Sequence, residues 1–149
     1  MTVTPIPDGY HAVQPYLIVN GARGLLEFLQ NVFGATRSEL MEGPDGRVMH
    51  AEAKIGDSTV MISDPQPPWQ PTQSALYVYV ANVDETYRKA LSAGATSAME
   101  PRDQFYGDRH GGVKDQWGNF WWIATRIEDV SKEEMSKRAQ EYMEKRKSS

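Results

Sequence analysis

The sequence predicts an α+β protein built from two tandem βαβββ modules and a charged C-terminal helix. The first observation is a repeat: "PYLIVNGARGLLEFLQNVFGAT" is echoed about sixty residues later by "LYVYVANVDETYRKALSAGAT", and each copy has the pattern of a strand followed by a helix. The second is that strand-like pieces separated by turn residues follow each helix. The third is the segment "DPQPPWQPTQ" between the halves, whose prolines are typical of an extended linker.

The repeat sets the predicted domain boundaries. Tyr16 in the first copy matches Tyr77 in the second, 61 residues later. We therefore expect one domain of two modules joined by the linker, with a separate helix after it. The predicted ranges are 1–127 for the domain, about 13–64 and 75–127 for its modules, 64–73 for the linker and 128–149 for the helix.

The sequence indicates where each helix begins and ends. Apolar residues recur at helical spacing over 22–33, and Gly34 is a suitable terminator. The second helix runs from about 83 to 92. Side chains that accept hydrogen bonds from a first helical turn precede all three helices. The predicted N-caps are Asn20, Asn82 and Ser131.

The strands after each helix follow one order. In the first module they are "TRSELM", "VMHAEAKI" and "STVMIS", the last two joined by a two-residue turn at Gly56-Asp57. In the second module "TSAMEP" is followed by "DQFYGDRHGG", which is predicted to be a glycine-rich loop, and then by "VKD" and "NFWWIAT". The unit is therefore βαβββ, used twice.

Composition excludes several classes of function. The net charge is −4, with acidic and basic residues interleaved, which argues against a nucleic-acid partner. There is no cysteine, so disulfides and thiolate chemistry are excluded. The first residues lack a signal-peptide pattern and no apolar run is long enough to span a membrane, so we expect a cytoplasmic protein without a membrane partner.

The stretch "FWW" at 120–122 points to a binding surface. Alternate residues of a strand lie on opposite faces, so Phe120 and Trp122 share one face while Trp121 and Ile123 share the other. A core beneath the helices accounts for one aromatic face. The other face requires a second apolar layer, a partner chain or a ligand.

With its tandem βαβββ order, "YLIVNGARGLLEFLQNVFGA" at its start and "YGDRHGGVKDQWGNFWWIAT" near its end, the chain resembles the vicinal oxygen chelate superfamily, in particular the glyoxalase, bleomycin-resistance and dioxygenase group. The resemblance covers residues 13–127. It implies curved mixed sheets that form a cleft, and a homodimer. It does not fix the activity, because this fold hosts isomerases, lyases, dioxygenases, thiol transferases and metal-free drug binders.

Metal enzymes of this superfamily place one ligand on the first and one on the last strand of each module. Counting from the strand ends and the hairpin glycines places these positions at Gln14, Val60, Ala75 and Trp122. Only Gln14 carries a donor atom, whereas a divalent ion needs three or four. We therefore expect no metal or other cofactor.

An aromatic cup is predicted in place of a metal centre. Side chains in phase with Trp122 should face the cleft, and aromatic rings bind planar molecules by stacking and attract cations. The alternative is that these rings fill the interior or a dimer seam. The predicted cup residues are Tyr16, Tyr77, Tyr79, Phe120 and Trp122.

Three other residues are candidates for chemistry. His50 and Glu52 lie two apart on the polar face of a strand, where they could act as base and acid or bind a metal together with Gln14. The alternative for them is a solvated cross-strand pair. Arg109, beside His110 in the predicted loop, could anchor a carboxylate or phosphate, or simply bond to Asp108.

The leading expectation is a cytoplasmic, homodimeric protein that binds a planar or cationic small molecule without a metal. The first alternative is a metal-dependent enzyme, a glyoxalase-type lyase or isomerase or a dioxygenase, that uses Gln14, His50 and Glu52 with a divalent ion. The second alternative is a non-catalytic dimeric scaffold.

Overall fold

A computed structural model describes residues 2–148 and confirms the α+β fold of two βαβββ modules with a helix after them. Residues 1 and 149, which bound the predicted domain and the predicted helical segment, lie outside the described residues. The elements are β1 (Tyr16–Ile18), α1 (Ala22–Phe33), β2 (Thr36–Glu42), β3 (Val48–Ile55), β4 (Ser58–Ser63), β5 (Ala75–Tyr79), α2 (Val83–Ser92), β6 (Thr96–Asp103), β7 (Asp108–Lys114), β8 (Phe120–Arg126) and α3 (Lys132–Lys147).

Each module forms its own four-stranded mixed sheet. The strand order is β1-β4-β3-β2 in the first and β5-β8-β7-β6 in the second. The first strand of each module, β1 or β5, lies at one edge of its sheet and pairs in parallel with the last strand, β4 or β8. This pairing places Tyr16 beside Met61 and Tyr77 beside Trp122. The two modules therefore have the same topology and equivalent registers, as the repeat predicts.

The chain divides into two compact units. The first contains the residues up to Ser74 together with Gln116–Asn119, and the second contains Ala75–Asp115 and the residues from Phe120 onward. Within the first unit the indole of Trp117 lies against α1, where a Cβ at Gly24 would be 2.9 Å from its ring. Glycine at this helical position is therefore explained by the close approach of the indole.

The predicted inner face of β8 is confirmed in the second unit. Trp121 and Ile123 are fully buried on the face that α2 covers, together with Val83 of that helix. The indole N–H of Trp121 donates to Asp115 Oδ2 at 2.7 Å, so the buried ring keeps its hydrogen bond. Replacing so large a buried side chain by alanine costs about 3–5 kcal/mol in typical cores.

The N-terminus of α1 corrects one prediction. Asn20 does not cap the helix; the N-cap is Gly21, which has no capping side chain. The carboxylate of Asp64, at the end of β4, accepts hydrogen bonds from the backbone N–H groups of Gly21 and Ala22 at 2.9 and 3.0 Å. The carboxylate of Asp64, distant in sequence, therefore caps this helix in place of the neighbouring Asn20.

The second module corrects another prediction. Asp108–Lys114 is a strand, β7, and the loop that precedes it is shorter than expected. Gly111 and Gly112 belong to this strand because neighbouring groups approach them closely: an added Cβ would lie 2.9 Å from the Pro101 ring and 2.3 Å from the Trp122 ring, respectively. The glycines make room for packing rather than forming a turn.

The other two predicted caps are confirmed. Asn82 accepts a hydrogen bond from the backbone N–H of Glu85, and Ser131 accepts one from that of Glu134. The helix that Ser131 begins, α3, packs an apolar residue, Tyr142, against Phe105. Among the described residues, no helix is long and apolar enough to cross a membrane.

Candidate functional site

The second unit carries an aromatic surface on the face of β8 opposite its core. Tyr77 of β5 and Trp122 of β8 are register neighbours, and Phe120 stacks on Trp122 with ring centroids 5.7 Å apart. The imidazole of His110, on β7, contacts both Tyr77 and Trp122: its centroid is 4.9 Å from that of the Tyr77 ring and 5.5 Å from that of the Trp122 ring. Strand alternation thus brings Tyr77, Phe120 and Trp122 to one face, as predicted.

The loop before β7 and the helix α3 complete this surface. Phe105 of the loop stacks on Tyr142 of α3 at 5.0 Å, and the hydroxyl of Tyr106 lies 2.9 Å from Nδ1 of His110. Together these elements line an open cavity of about 410 Å³, a volume typical of small-molecule sites. The residues that line this aromatic cavity are Tyr77, Met99, Gln104, Phe105, Tyr106, His110, Trp122 and Tyr142.

A buried carboxylate supports the wall of the aromatic cavity. Asp108 is 2% exposed, and one of its oxygens, Oδ2, accepts hydrogen bonds from the hydroxyls of Tyr77 and Tyr79, each at 2.8 Å. Its other oxygen, Oδ1, lies 3.8 Å from a guanidinium nitrogen of Arg126. Burial and the bond to Asp108 raise the pKa of Tyr77 far above its usual value, so this phenol stays protonated and fixed in orientation.

His110 is held in its neutral form. Burial lowers the pKa of its imidazole, and the nearby Asp108 opposes this shift only in part. Its Nε2 atom is buried and has no hydrogen-bond partner among the described residues. A neutral imidazole beside aromatic rings adds a polar edge to the cavity without adding a charge.

Arg109 pairs with two carboxylates other than that of Asp108. Its guanidinium pairs with Asp84 at 2.8 Å and with Asp103 at 3.0 Å, and these bonds raise its pKa. It lies on β7 rather than in a loop. A role in anchoring an anionic ligand stays a prediction, and such a ligand would have to compete with two carboxylates.

Three predicted cup residues lie outside the lining of the aromatic cavity. Phe120 reaches it only through its stacking on Trp122. Tyr79 contacts it indirectly, through the bond to Asp108 and through its ring, 5.3 Å from that of Tyr77. Tyr16 belongs to the first unit, where it lines a separate cavity of about 460 Å³. The other residues lining that cavity are Ile18, Met49, Ser63, Gln66 and Trp69.

His50 and Glu52 form a cluster in the first unit. Nε2 of His50 lies 2.8 Å from Glu52, whose other carboxylate oxygen accepts a hydrogen bond from Tyr10. Glu52 is 4% exposed; burial favours its neutral form, but the bonds from Tyr10 and His50 outweigh this and lower its pKa. Glu39, its cross-strand neighbour, brings a second carboxylate close to the pair.

This His50 cluster has the donor chemistry of a divalent metal site. Ligand atoms of Glu39, His50 and Glu52 all lie within 4.8 Å of one another, and imidazole with carboxylates suits ions such as zinc or manganese. The side-chain amide of Gln14 exchanges two hydrogen bonds with the backbone of His11, and its part in a metal set stays a prediction.

The positions that the resemblance implies for metal ligands do not have this chemistry. Pairing with the first strand makes Met61, not Val60, the counterpart of Trp122. The prediction for Val60 is wrong by one residue, and in a strand such a shift moves the side chain to the opposite face, where Val60 is buried. Met61 offers only a thioether, so the residues present do not fit an ion at these positions.

Sequence reasoning did not find the residues that the loop before β7, the helix α3 and Asp108 contribute to this site. Phe105 and Tyr106 form an aromatic pair in "DQFYGDRH", and such a pair in a loop is a signal for a binding surface. Tyr142 was visible as one apolar residue of a charged helix. Asp108 bonds to tyrosines 29 and 31 residues away, and no local pattern indicates partners so distant in sequence.

Comparison with known proteins identifies the fold group. The model of the Glyoxalase/Bleomycin resistance protein/Dioxygenase superfamily matches residues 10–123. An uncharacterised protein of Mycobacterium bovis is 32% identical over 135 residues, which cover 83% of this chain and 89% of that protein. An uncharacterised protein of Mycobacterium tuberculosis strain H37Rv is also 32% identical over 135 residues, which cover 83% of this chain and 79% of that protein.

Solved structures share the fold at lower identity. TioX from Micromonospora sp. ML1 superposes with a TM-score of 0.62 at 22% identity, covering 78% of this chain and all of that one. A glyoxalase/bleomycin resistance protein/dioxygenase family enzyme from Burkholderia phytofirmans gives 0.61 at 18% identity, covering 75% of this chain and 95% of that one. At these identities the likeness concerns the fold alone.

Proposed function

Because this chain belongs to the glyoxalase/bleomycin resistance protein/dioxygenase superfamily, we propose that it is a small-molecule-binding protein of that type. It takes up a planar or cationic organic ligand in the aromatic cavity of the second unit and requires no metal to do so. The observation that carries the proposal is the aromatic cavity itself, where five benzenoid rings line about 410 Å³. Such a lining binds flat rings by stacking and by burial of apolar area.

The test compares two tryptophan variants in a calorimetric titration with a panel of aromatic and cationic small molecules. Trp122→Leu removes a wall of the aromatic cavity and should weaken binding about tenfold or more, as expected for a central aromatic contact. Trp69→Leu is the matched control, because Trp69 is 66% exposed in the first unit and should leave the affinity unchanged. A panel without any binder, or equal losses in both variants, would refute the proposal.

A metal-dependent enzyme is the second candidate, and the His50 cluster favours it. A divalent ion held by Glu39, His50 and Glu52 could polarise a substrate oxygen or activate a bound water. Here His50 and Glu52 would have the catalytic role predicted for them, with Glu39 in the place predicted for Gln14. Elemental analysis of protein purified without chelators distinguishes the candidates, since an enzyme of this kind should carry about one ion per chain.

A dimeric scaffold is the remaining alternative. The homodimer and the cytoplasmic location both stay predictions. Light scattering on the purified protein tests the first, and it should be repeated with a bound ligand, because a seam that buries the aromatic rings would exclude the ligand.

A further inference from the structure

We propose that the aromatic cavity selects organic cations over neutral ligands of the same shape, and that the buried carboxylate of Asp108 sets this preference through Tyr77. The inference rests on the proposed function, because it specifies the ligand class of the same cavity. It is carried by the bond between these two residues, by the pairing of nearby positive side chains, and by cations of the chain that already lie on the aromatic rings.

Tyr77 links the carboxylate to the cavity. Its ring lines the cavity while its hydroxyl donates to Asp108 Oδ2 at 2.8 Å. A phenol that donates to a carboxylate gains electron density in its ring, which strengthens the attraction of the ring face for a cation. Asp108 is almost fully buried, so water screens its charge less than that of a surface carboxylate.

Two arginines near the cavity, Arg126 and Arg138, have acidic partners. Among the described residues no lysine or arginine lines it, and His110 is kept neutral by burial. Arg126, 3.8 Å from Asp108, has a half-exposed side chain, so water screens its charge more than that of the buried carboxylate. The nearby pairs are Arg126–Asp129 at 3.2 Å, Arg138–Glu128 at 2.6 Å and Arg138–Glu134 at 3.0 Å.

Two positive side chains of the protein lie near aromatic rings of this surface, Phe120 and Tyr142. The ammonium of Lys114 lies 5.7 Å from the centroid of Phe120, the ring that stacks on Trp122. The guanidinium of Arg146 lies 5.8 Å from the centroid of Tyr142. These distances are within the range of cation–π attraction, so Phe120 and Tyr142 each already attract a positive side chain.

The ligand class follows from these contacts. A flat ring that carries its positive charge within the ring system, such as an N-alkylated heteroaromatic cation, stacks on the walls and places its charge over their faces. A neutral ring of the same size gains the stacking but not the electrostatic attraction.

The test uses two probes with equal numbers of heavy atoms, N-methylquinolinium and 4-methylquinoline, in mildly alkaline buffer where the second is uncharged. Calorimetric titration of the wild-type protein should give about tenfold tighter binding for the cation. Equal affinities, or tighter binding of the neutral probe, would overturn the charge preference while leaving the proposed function intact. Absence of binding by both probes and by the wider panel would refute the proposed function instead.

Asp108→Asn tests the source of the preference. It should weaken N-methylquinolinium about fivefold and leave 4-methylquinoline unchanged, because it removes the charge but keeps an acceptor for Tyr77. Asp129→Asn is the matched control: it removes the same charge from another partner of Arg126, at a fully exposed position, and should change neither affinity.

Tyr77→Phe separates the electronic effect from any loss of folding. It keeps the ring and removes the bond to Asp108, so the affinity ratio of the two probes should fall with little change for the neutral one. Thermal unfolding of each variant establishes that it is folded. An unchanged ratio in both Asp108→Asn and Tyr77→Phe, or an equal loss for both probes, would overturn the role of Asp108.

Discussion

The indole of Trp122 packs against Gly112, its partner on the adjacent strand. A Cβ at Gly112 would be 2.3 Å from the six-membered part of the ring, a distance that no side chain tolerates. The position of a main wall of the aromatic cavity therefore depends on a residue that has no side chain.

Gly112→Ala should displace this ring. We expect a loss of about 1–3 kcal/mol in the free energy of unfolding, the usual cost of overpacking, and weaker binding of N-methylquinolinium. Urea unfolding and calorimetry measure the two effects. In a Trp122→Leu background the alanine has no indole to displace, so its cost should shrink. An equal cost in both backgrounds would contradict the contact.

Protonation of His110 should destabilise the fold. Because its folded pKa is lowered, the unfolded chain binds the proton more readily. The free energy of unfolding should therefore decrease as the pH falls below about 6.5, by at most about 1.4 kcal/mol per pH unit, and this decrease should end below the folded pKa.

Urea unfolding between about pH 8 and pH 5 measures this slope. His110→Gln removes the titrating group and should flatten it. Glu52 and Asp64, whose pKa values are lowered, lose their contributions at a lower pH and do not obscure the comparison. Identical slopes in the two proteins would exclude His110 as the cause.

Asp64→Ala should be costly although Asp64 lies near the surface. Its carboxylate accepts bonds from the backbone N–H groups of Gly21, Ala22 and Val48, so it joins α1, β3 and β4. We expect a loss of about 2–4 kcal/mol in the free energy of unfolding. Asp57→Ala, in an exposed turn, is the control; an equally small effect at both positions would remove Asp64 from this role.

Removal of metal should not affect ligand binding. After dialysis against a chelator, the affinity for N-methylquinolinium should stay within about a factor of two, since neutral and aromatic groups line the cavity. Elemental analysis of the same samples shows whether an ion was lost. If about one ion per chain is present and His50→Ala removes it, the metal-dependent alternative gains support.

The fold could be predicted because its signals are local and repeated. Helix periodicity, the turn at Gly56 and the caps Asn82 and Ser131 each depend on residues close in sequence. The cap of α1 could not be found in this way, because Asp64 is 42 residues from Ala22. The extent of β7 was underestimated because Gly111 and Gly112 are typical of loops until their packing partners are known.

The site was predictable only where it lies on strands. Alternation placed Phe120 and Trp122 on one face. The resemblance to the superfamily added Tyr77 to that face. Phe105 and Tyr142 contribute through the packing of a loop against a helix, which no sequence period records. Asp108 of β7 bonds to two tyrosines of β5, and this arrangement appears only when β5 and β7 flank β8 in the sheet.

The grouping of Gln116–Asn119 with the first unit has a consequence for the history of the repeat. A duplicated gene segment ordinarily encodes a module that contains all the residues of its compact unit. The coding region for residues up to Ser74 does not, because it omits Trp117, whose indole lies against α1. A half-length gene would therefore specify an incomplete first unit. A gene fragment that begins at Ala75 would likewise encode Gln116–Asn119 without the unit to which they belong.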